Sequence, residues 1–555
     1  MSDVLPAPTR LDVVERPTWF GPAESPLFGV AHLPADQKVR GAVLICGSLG
    51  KDHADALRGL RLLGDQLAAL GMLVFRFDYL GTGDSSYGQV RPDSVREWQD
   101  SIAHALDYLH GAGITDVSAI AVRAGCVILD DCLSRTSSIS RIVYWDPVGT
   151  GQRFLREQTA FFKITVGEDN VPPGLVSMIG TRLSAEAARD FAAMGLDETG
   201  PPCDRLVLTR SEGYDKRVKA VVAAPGTKTV LVDGFAQCVQ PAKLLVPVSL
   251  AAIDAATDWL DEQVPKERLP ATLELTDSAR IPTDAGGFVT ERIERIGPHG
   301  LFAIRTLPDS VARTDSAVIF FTNANNGHHG PNREWVELSR SLSEQGRTAV
   351  RWDRRGAGES GVPERHEEVY IYSAEGVRDA LAATGYGHEI ASRIQLVGVC
   401  SGGWYAAHGA RTCGAESVVF VNTLQWSWRC KRKLRGRTLP GDQDEIDWEQ
   451  TPRARLRRRV QHFLPAFCWR NIGRTGMVQA PEVVLSSLAR RGVAATVILC
   501  PHDTSLFVAN KGLDALRRLR NNPSPPVLVE VSEGDHASYH QSILGALRQA
   551  VLDFR

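Results

Sequence analysis

The sequence contains no C-x-x-C pair, no long apolar run and almost no net charge. Its ten cysteines are scattered over 555 residues, which argues against a disulfide framework and indicates a reducing compartment. No uninterrupted apolar stretch reaches the roughly 18–20 residues of a membrane span, and no signal peptide is visible. The net charge of −2 argues against nucleic-acid binding by the whole chain. We therefore expect a cytoplasmic protein without a membrane span.

Two segments of the chain carry the same pattern. Each has an apolar strand that ends in a short polar loop, then a helical stretch, then a strand followed by the phrase R-aromatic-D-x-x-G-x-G-D/E-S. This phrase occupies residues 76–85 and again residues 351–360, about 275 residues later. Since 555 residues are too many for one hydrophobic core, the repeat predicts two units of similar construction.

Apolar strands alternate with helical patterns in both units. Near-continuous apolar strands of this kind predict an α/β fold with a mostly parallel sheet and helices on both faces. A charged, proline-containing segment at 262–270 has the composition of a linker. We therefore predict a first unit at residues 1–265 and a second unit at residues 266–555.

The pentapeptide G-V-C-S-G at residues 398–402 follows the apolar run 394–397. It fits the pattern G-x-nucleophile-x-G, in which a strand delivers a nucleophile onto a sharp turn and flanking glycines avoid clashes. Cys400 is the predicted nucleophile. Ser401 is an alternative, but it would leave Val399 in a glycine position. A third interpretation makes Cys400 a small buried residue without chemistry.

These motifs make the chain similar to a tandem α/β-hydrolase of the serine-aminopeptidase-like branch, with cysteine in the second elbow. Segments 323–333 and 145–148 resemble those of bacterial hydrolases, including ones associated with exosortase systems. Residues 398–403 resemble the cysteine elbow of polyhydroxyalkanoate synthases, and cysteine also occurs in dienelactone-hydrolase-like members. The resemblance implies two α/β-hydrolase domains, with a helical cap inserted at about 424–494.

The resemblance also implies the partners of the nucleophile, because in this fold the acid and then the histidine follow it along the chain. Asp503 follows a late apolar strand, and His536 follows the next one. We therefore predict a Cys400–His536–Asp503 triad. His540 is the alternative base. Asp535 is the alternative acid, although a loop-capping role explains it better.

Two backbone N–H groups are expected to form the oxyanion hole. One belongs to Ser401, directly after the nucleophile, and the other to Asn325 in the loop after the early strand. His328 and His329 follow that loop, but no carboxylate or cysteine stands at ligand spacing. We therefore predict no metal and no cofactor, and we interpret the two histidines as part of a pocket or loop.

The first unit lacks the catalytic parts. Its elbow position holds Arg123, and a guanidinium is not a nucleophile. No histidine occurs between His110 and His299, and the expected base position offers only Gln237. We interpret this unit as a degenerate, pseudo-hydrolase domain with a structural role. The alternative is an anion site in which Arg123 binds a substrate carboxylate or phosphate.

The predicted cap contains basic runs at 429–437 and 453–459, with aromatic side chains between and around them. Such a surface suits an anionic acyl donor, either coenzyme A or a carrier protein. The alternative is a solvated face balanced by the acidic residues of 442–449.

A cysteine nucleophile exchanges one thioester for another at little energetic cost. We therefore predict a cysteine-dependent acyl-transfer enzyme, a hydrolase or an acyltransferase, acting on a small-molecule or carrier-linked ester or thioester through an acyl-Cys intermediate. The alternative is a non-catalytic binding or scaffold protein that retains the fold twice.

Overall fold

The computed structural model describes residues 11–133, 139–167, 171–199, 203–210, 215–232, 248–309, 312–323, 326–361, 371–430 and 464–554. These residues form an α/β structure with two mostly parallel sheets flanked by helices, which confirms the fold class predicted from the sequence. Asn325, Gln237 and the basic residues 431–437 and 453–459 lie outside the described residues.

The elements of the first unit alternate between strands and helices along the chain. The strands are β1 Val13–Phe20, β2 Leu27–Pro34, β3 Lys38–Val39, β4 Ala42–Cys46, β5 Leu73–Phe77, β6 Val117–Val122, β7 Ile139–Trp145, β8 Leu175–Met178, β9 Thr181–Ser184, β10 Asp204–Thr209, β11 Thr227–Leu231 and β12 Leu269–Pro270. The helices are α1 Gly50–Ala69, α2 Ser94–Gly111, α3 Ala124–Leu133, α4 Gly151–Val166, α5 Ala185–Ala193, α6 Lys216–Ala223 and α7 Leu250–Gln263.

The second unit alternates in the same way. The strands are β13 Ser278–Pro282, β14 Phe288–Ile296, β15 Leu301–Pro308, β16 Ser316–Phe321, β17 Thr348–Trp352, β18 Arg393–Val399, β19 Ser417–Val421, β20 Ala494–Leu499 and β21 Val527–Glu530. The helices are α8 Glu334–Glu344, α9 Ala374–Ile390, α10 Ser401–Cys413, α11 Ala466–Arg474, α12 Pro481–Ala489, α13 Pro501–Ala509, α14 Gly512–Leu519 and α15 Gln541–Leu552, with a 3₁₀ turn at Pro331–Arg333.

The two sheets follow the same strand order. The first runs β1-β2-β5-β4-β6-β7-β10-β11, and the second runs β14-β15-β17-β16-β18-β19-β20-β21 with β13 added at the outer edge. In the first sheet β1, β2 and β5 pair antiparallel, and from β5 onward the strands pair parallel. In the second sheet β14, β15 and β17 pair antiparallel, and from β17 onward the strands pair parallel. The elbow strands β6 and β18 therefore occupy equivalent central positions, where their buried apolar residues pack against helices on both faces.

The segment between the units is partly ordered by the first one. Leu269–Pro270 pairs antiparallel with Lys38–Val39 of the first unit, although these residues were predicted to be part of a linker. The chain therefore crosses from one unit to the other between Pro270 and Ser278.

An apolar cluster joins the two units through their antiparallel strands. Phe28 of the first sheet and Phe302 of the second face each other with ring centroids 6.1 Å apart. They are buried in one cluster whose other members are Trp19, Val30, Ile281, Val289 and Ile304. Burial of these side chains stabilises the contact between the sheets by the hydrophobic effect.

The repeated phrase forms reciprocal ion pairs across the same contact. Arg351 of the second unit pairs with Asp84 of the first, and Arg76 of the first pairs with Glu359 of the second at 2.8 Å. The arginine of each copy thus binds the terminal acid of the other, as in the self-complementary interface of a two-fold dimer. This pairing gives the repeated phrase a structural role that its sequence did not reveal.

Among the described residues, no helix combines the length and the apolar character that crossing a membrane requires.

Candidate active site

Cys400 stands on a strained turn between strand β18 and helix α10. Its φ of 52° lies in the left-handed region, which costs a non-glycine residue energy and is typical of functional turns. The Cys400 N–H donates to the carbonyl of Val421 at 2.8 Å, which ties the turn to the neighbouring strand. The conformation matches the nucleophile elbow that the sequence predicted.

The glycines around Cys400 are required by close backbone approach. A Cβ on Gly398 would lie 2.3 Å from the Gly402 carbonyl carbon, and a Cβ on Gly402 would lie 2.3 Å from the Phe321 oxygen. Neither neighbour is a flexible side chain, so any larger residue would displace the backbone. The turn therefore packs directly against the loop that follows strand β16.

Cys400, His536 and Asp503 lie in contact in the order that the sequence predicted. The Nε2 atom of His536 is 3.3 Å from the Cys400 Sγ, and its Nδ1 atom is 2.6 Å from the Asp503 Oδ2. The imidazole thus bridges sulfur and carboxylate, an arrangement that can accept the thiol proton and stabilise the imidazolium that results.

The electrostatics favour a protonated ring at this position. Burial acts to lower the pKa of His536, but the charge of the Cys400 sulfur and of the Asp503 carboxylate, with their hydrogen bonds, outweighs burial. The pKa of His536 is therefore raised well above its usual value. The site therefore favours the imidazolium form of His536 near neutral pH.

Asp503 lies in the first turn of helix α13 rather than in the loop that the sequence predicted. Pro501 occupies the first helical position, where its fixed φ and missing N–H suit a helix start. The Asp503 Oδ2 also accepts a hydrogen bond from the Cys500 thiol, with 3.3 Å between oxygen and sulfur. Burial is the first cause that raises the pKa of Cys500 to about 12, and Asp503 adds to it, so this second thiol stays protonated.

Asn422, which the sequence analysis missed, links the loop that carries His536 to the start of the helix that carries Asp503. Its Nδ2 donates to the carbonyls of Asp535 and His536 at 2.9 and 3.1 Å, and to the Ser538 Oγ at 3.2 Å. Its Oδ1 accepts the Cys500 N–H at 2.9 Å. One buried amide thus joins the loop of His536 to the start of helix α13. A lone Asn after an apolar strand gave no sequence signal.

The alternative residues take other places. Asp535 Oδ1 accepts the N–H groups of Tyr539 and His540, which is a loop-capping arrangement. His540 caps helix α15 by accepting the Ser542 N–H. The Ser401 Oγ is buried and has no hydrogen-bond partner among the described residues, so no contact joins it to His536.

Ser401 is the first residue of helix α10, so its N–H belongs to the unsatisfied helix N-terminus next to Cys400. An N–H group at this position is available to an oxyanion. The second predicted donor, Asn325, lies outside the described residues. The loop around it resumes at Asn326, whose N–H donates to the Asn323 Oδ1 at 2.9 Å.

His328 bridges the two units. Its Nδ1 lies 2.6 Å from Asp353 and its Nε2 lies 2.6 Å from Asp84, while the His329 Nε2 lies 3.0 Å from the same Asp84 oxygen. Burial opposes charge on His328, but Asp353 and Asp84 outweigh it and raise its pKa to about 10. Both ring nitrogens therefore donate, and the ring acts as a buried imidazolium in the interface.

Arg123 occupies the equivalent elbow of the first unit, with a φ of 51° and its N–H donated to the Trp145 carbonyl. Its guanidinium is buried among three carboxylates: Asp52 and Glu157 at 3.0 and 3.1 Å, and Asp146 at 3.6 Å. Burial acts to lower the pKa of Arg123, but these acids raise it. Acidic neighbours on three sides repel a ligand anion, so this geometry favours the structural interpretation of Arg123.

His408, on helix α10, makes the stability of the fold depend on pH. Its ring packs against Trp404 and Trp428 with centroid distances of 4.4 and 5.0 Å. Burial and then the charge of Arg411 lower its pKa to about 4. The pKa of His408 in the folded protein is below that in the unfolded chain. His408 therefore does not reduce the free energy of unfolding above about pH 6.5, but protonation of the unfolded chain reduces it as the pH falls toward 4.

We expect the His408→Gln variant to lose less stability in acid than the wild type, by up to roughly 3 kcal/mol between pH 6.5 and 4. Urea unfolding at several pH values would measure it. His388→Gln is the matched control, because His388 is exposed on helix α9. Parallel pH profiles for wild type and His408→Gln would contradict the prediction.

Part of the chain matches a known protein family. Residues 319–554 match the alpha/beta hydrolase family. This range contains Cys400, Asp503 and His536 together with the parallel part of the second sheet. No curated protein matches the chain.

Several solved structures are similar in fold at low identity. Est1E from Butyrivibrio proteoclasticus is 14% identical, with a TM-score of 0.32, and the match covers 44% of this chain and 96% of that one. A dienelactone hydrolase from Anabaena variabilis is 14% identical, with a TM-score of 0.29, covering 48% and 96%. XC6422 from Xanthomonas campestris, described as an a/b serine hydrolase without lid, is 16% identical, with a TM-score of 0.27, covering 50% and 94%.

Proposed function

We propose that this alpha/beta hydrolase protein is a cysteine-dependent acyl-transfer enzyme, acting as hydrolase or acyltransferase on an ester or thioester. The observation that carries the proposal is the 3.3 Å contact between the His536 Nε2 and the Cys400 Sγ, with Asp503 at 2.6 Å on the far side of the ring. The alternative of a non-catalytic scaffold gains no support from this contact, because it expects the ring and the sulfur to lie apart.

The proposed reaction proceeds in two steps. His536 Nε2 holds the proton of the Cys400 thiol while the sulfur attacks the acyl carbon. The N–H groups of Ser401 and of the predicted Asn325 stabilise the oxyanion that forms. The carbon–oxygen or carbon–sulfur bond then breaks, and His536 donates the proton to the leaving group. Water or another acceptor, deprotonated by His536, attacks the acyl-Cys and releases the thiol.

We propose a division of the chain into a degenerate domain at 1–265 and a catalytic domain at 266–555, derived from one duplicated unit. The shared strand order supports this proposal, as do the equivalent elbows at Arg123 and Cys400. We also propose an acyl donor on coenzyme A or a carrier protein, from the basic runs of the cap, of which 431–437 and 453–459 lie outside the described residues.

The proposal is tested by mixing the protein with short-chain acyl thioesters and with 4-nitrophenyl esters, followed by intact-mass spectrometry and peptide mapping. We expect one acyl adduct, confined to Cys400, whose formation slows at least tenfold in His536→Gln because the general base is lost. An adduct on another residue, or none with any acyl donor of either class, would contradict the proposed chemistry. Release of product with and without added alcohols distinguishes hydrolysis from transfer.

A further inference from the structure

The loop that carries His536 extends a side chain into the first unit. Tyr539 lies three residues after His536, and its ring packs against a buried cluster of Phe161, Phe162 and Ile179. Phe161 and Phe162 belong to the end of helix α4, so this cluster is built by the first unit. The catalytic loop of one unit is thus packed against the apolar surface of the other.

The backbone at Tyr539 is fastened to the first unit as well. Asn332 donates from its Nδ2 to the Tyr539 carbonyl at 3.2 Å, and its Oδ1 accepts the Gly180 N–H at 3.0 Å. The carbonyl of Asn332 accepts the Gln89 Nε2 at 2.6 Å. Gly180 and Gln89 are residues of the first unit, so one asparagine connects the histidine loop to two of its segments.

The Tyr539 side chain is suited to such an anchor. Burial, with the nearby charges of Asp55 and Asp535, raises the pKa of Tyr539, so the ring stays neutral and its packing does not depend on pH near neutrality. Tyr539 also lines a cleft between the units together with Lys51, Gly180 and Thr181.

We propose that the first unit seats the catalytic histidine loop and that Tyr539 is a positioning residue for His536. This inference rests on the proposed function. Asn422 holds the loop from within the second unit, and Tyr539 anchors it to the first unit, so removal of either leaves the loop held by one unit only. Small displacements of a base cost large factors in rate, which gives a non-catalytic unit a direct effect on the chemistry.

The test compares two alanine variants on helix α4. Phe162→Ala removes part of the seat of Tyr539, whereas Phe154→Ala removes an equally buried ring that packs against Phe191 inside the first unit. The readout is the rate of Cys400 alkylation by iodoacetamide as a function of pH, followed by peptide mapping. Alkylation requires a thiolate but no oxyanion hole and no acyl substrate.

We expect Phe162→Ala to slow alkylation at pH 6 about tenfold and to shift its pH profile toward that of a free thiol, because the His536 partner is displaced. Phe154→Ala is expected to lower thermal stability while leaving the profile in place. If Phe162→Ala fails to fold, Tyr539→Ala gives the same measurement from the other side of the contact. A wild-type profile in Phe162→Ala or in Tyr539→Ala overturns the inference.

The alkylation profile separates the two proposals. If wild-type protein acylates Cys400 and Phe162→Ala keeps the wild-type profile, the seating role fails and the proposed function stands. If wild-type protein forms no acyl adduct but the profile shifts in Phe162→Ala and not in Phe154→Ala, the proposed function fails and the seating of His536 by the first unit stands.

Discussion

Replacement of Cys400 by alanine is expected to abolish turnover, with a loss of roughly 10⁴-fold or more. The substitution removes the sulfur that lies 3.3 Å from the His536 Nε2, and no other thiol is positioned to replace it among the described residues. The variant should fold normally, because alanine is smaller than cysteine and the elbow glycines are unchanged. Steady-state hydrolysis of a 4-nitrophenyl ester and intact-mass spectrometry with an acyl thioester both measure the effect.

Cys413→Ala is the matched control for Cys400→Ala. Cys413 is the last residue of helix α10, which directly follows Cys400, and it is exposed. Partial burial raises the pKa of Cys413, so its thiol is a weak nucleophile near neutral pH. We expect wild-type activity in Cys413→Ala. Wild-type activity in Cys400→Ala would show that the reaction does not use this sulfur, and the acyl-Cys mechanism would have to be abandoned.

Replacement of Arg123 by methionine is expected to destabilise the protein by about 3–5 kcal/mol. The guanidinium is 2% exposed, and its removal leaves the buried carboxylates of Asp52 and Asp146, and the partly exposed one of Glu157, without their shared cation. The same elbow position thus serves folding in the first unit and is proposed to serve chemistry in the second. Urea unfolding, monitored by tryptophan fluorescence, measures the change.

Arg153→Met is the matched control for Arg123→Met. It removes a more exposed partner of Glu157 and is expected to lower the free energy of unfolding by less than about 1 kcal/mol.

Phosphate tests the alternative role of Arg123 as an anion site, because a bound anion would stabilise the wild type and not Arg123→Met. We expect phosphate to have no differential effect. Selective stabilisation of the wild type by phosphate, or a negligible cost of Arg123→Met, would favour the anion site.

Local sequence patterns predicted much of the fold. Apolar strands such as 394–397 are buried on both faces of a central sheet, and their short length and the glycines that follow them favoured strands over helices in the sequence. The repeat of R-aromatic-D-x-x-G-x-G-D/E-S predicted two similar units, and the two sheets share one strand order. The position of Asp503 was predicted within a loop, whereas it lies in helix α13, because a proline that ends a strand also suits the start of a helix.

Contacts between segments distant in the chain could not be predicted in this way. Nothing in the pattern around Asn422 distinguishes an amide that binds three groups of the histidine loop from any polar residue after a strand. His328 was interpreted as a pocket or loop residue and does lie in a turn, but its link to Asp84 and Asp353 across the two units had no signal in the sequence. Such roles depend on which partner the folded chain brings within hydrogen-bond distance.

The sequence by itself determined the α/β architecture, the glycine-framed turn and the kinds of side chain available for chemistry, because these depend on periodicity and on local backbone sterics. Only the tertiary structure decided that Cys400, His536 and Asp503 touch, that Arg123 is enclosed by carboxylates, and that Tyr539 enters the first unit. The physical reason is that hydrogen bonds and ion pairs act over a few ångströms, and residues tens to hundreds of positions apart reach that range only when the chain has folded.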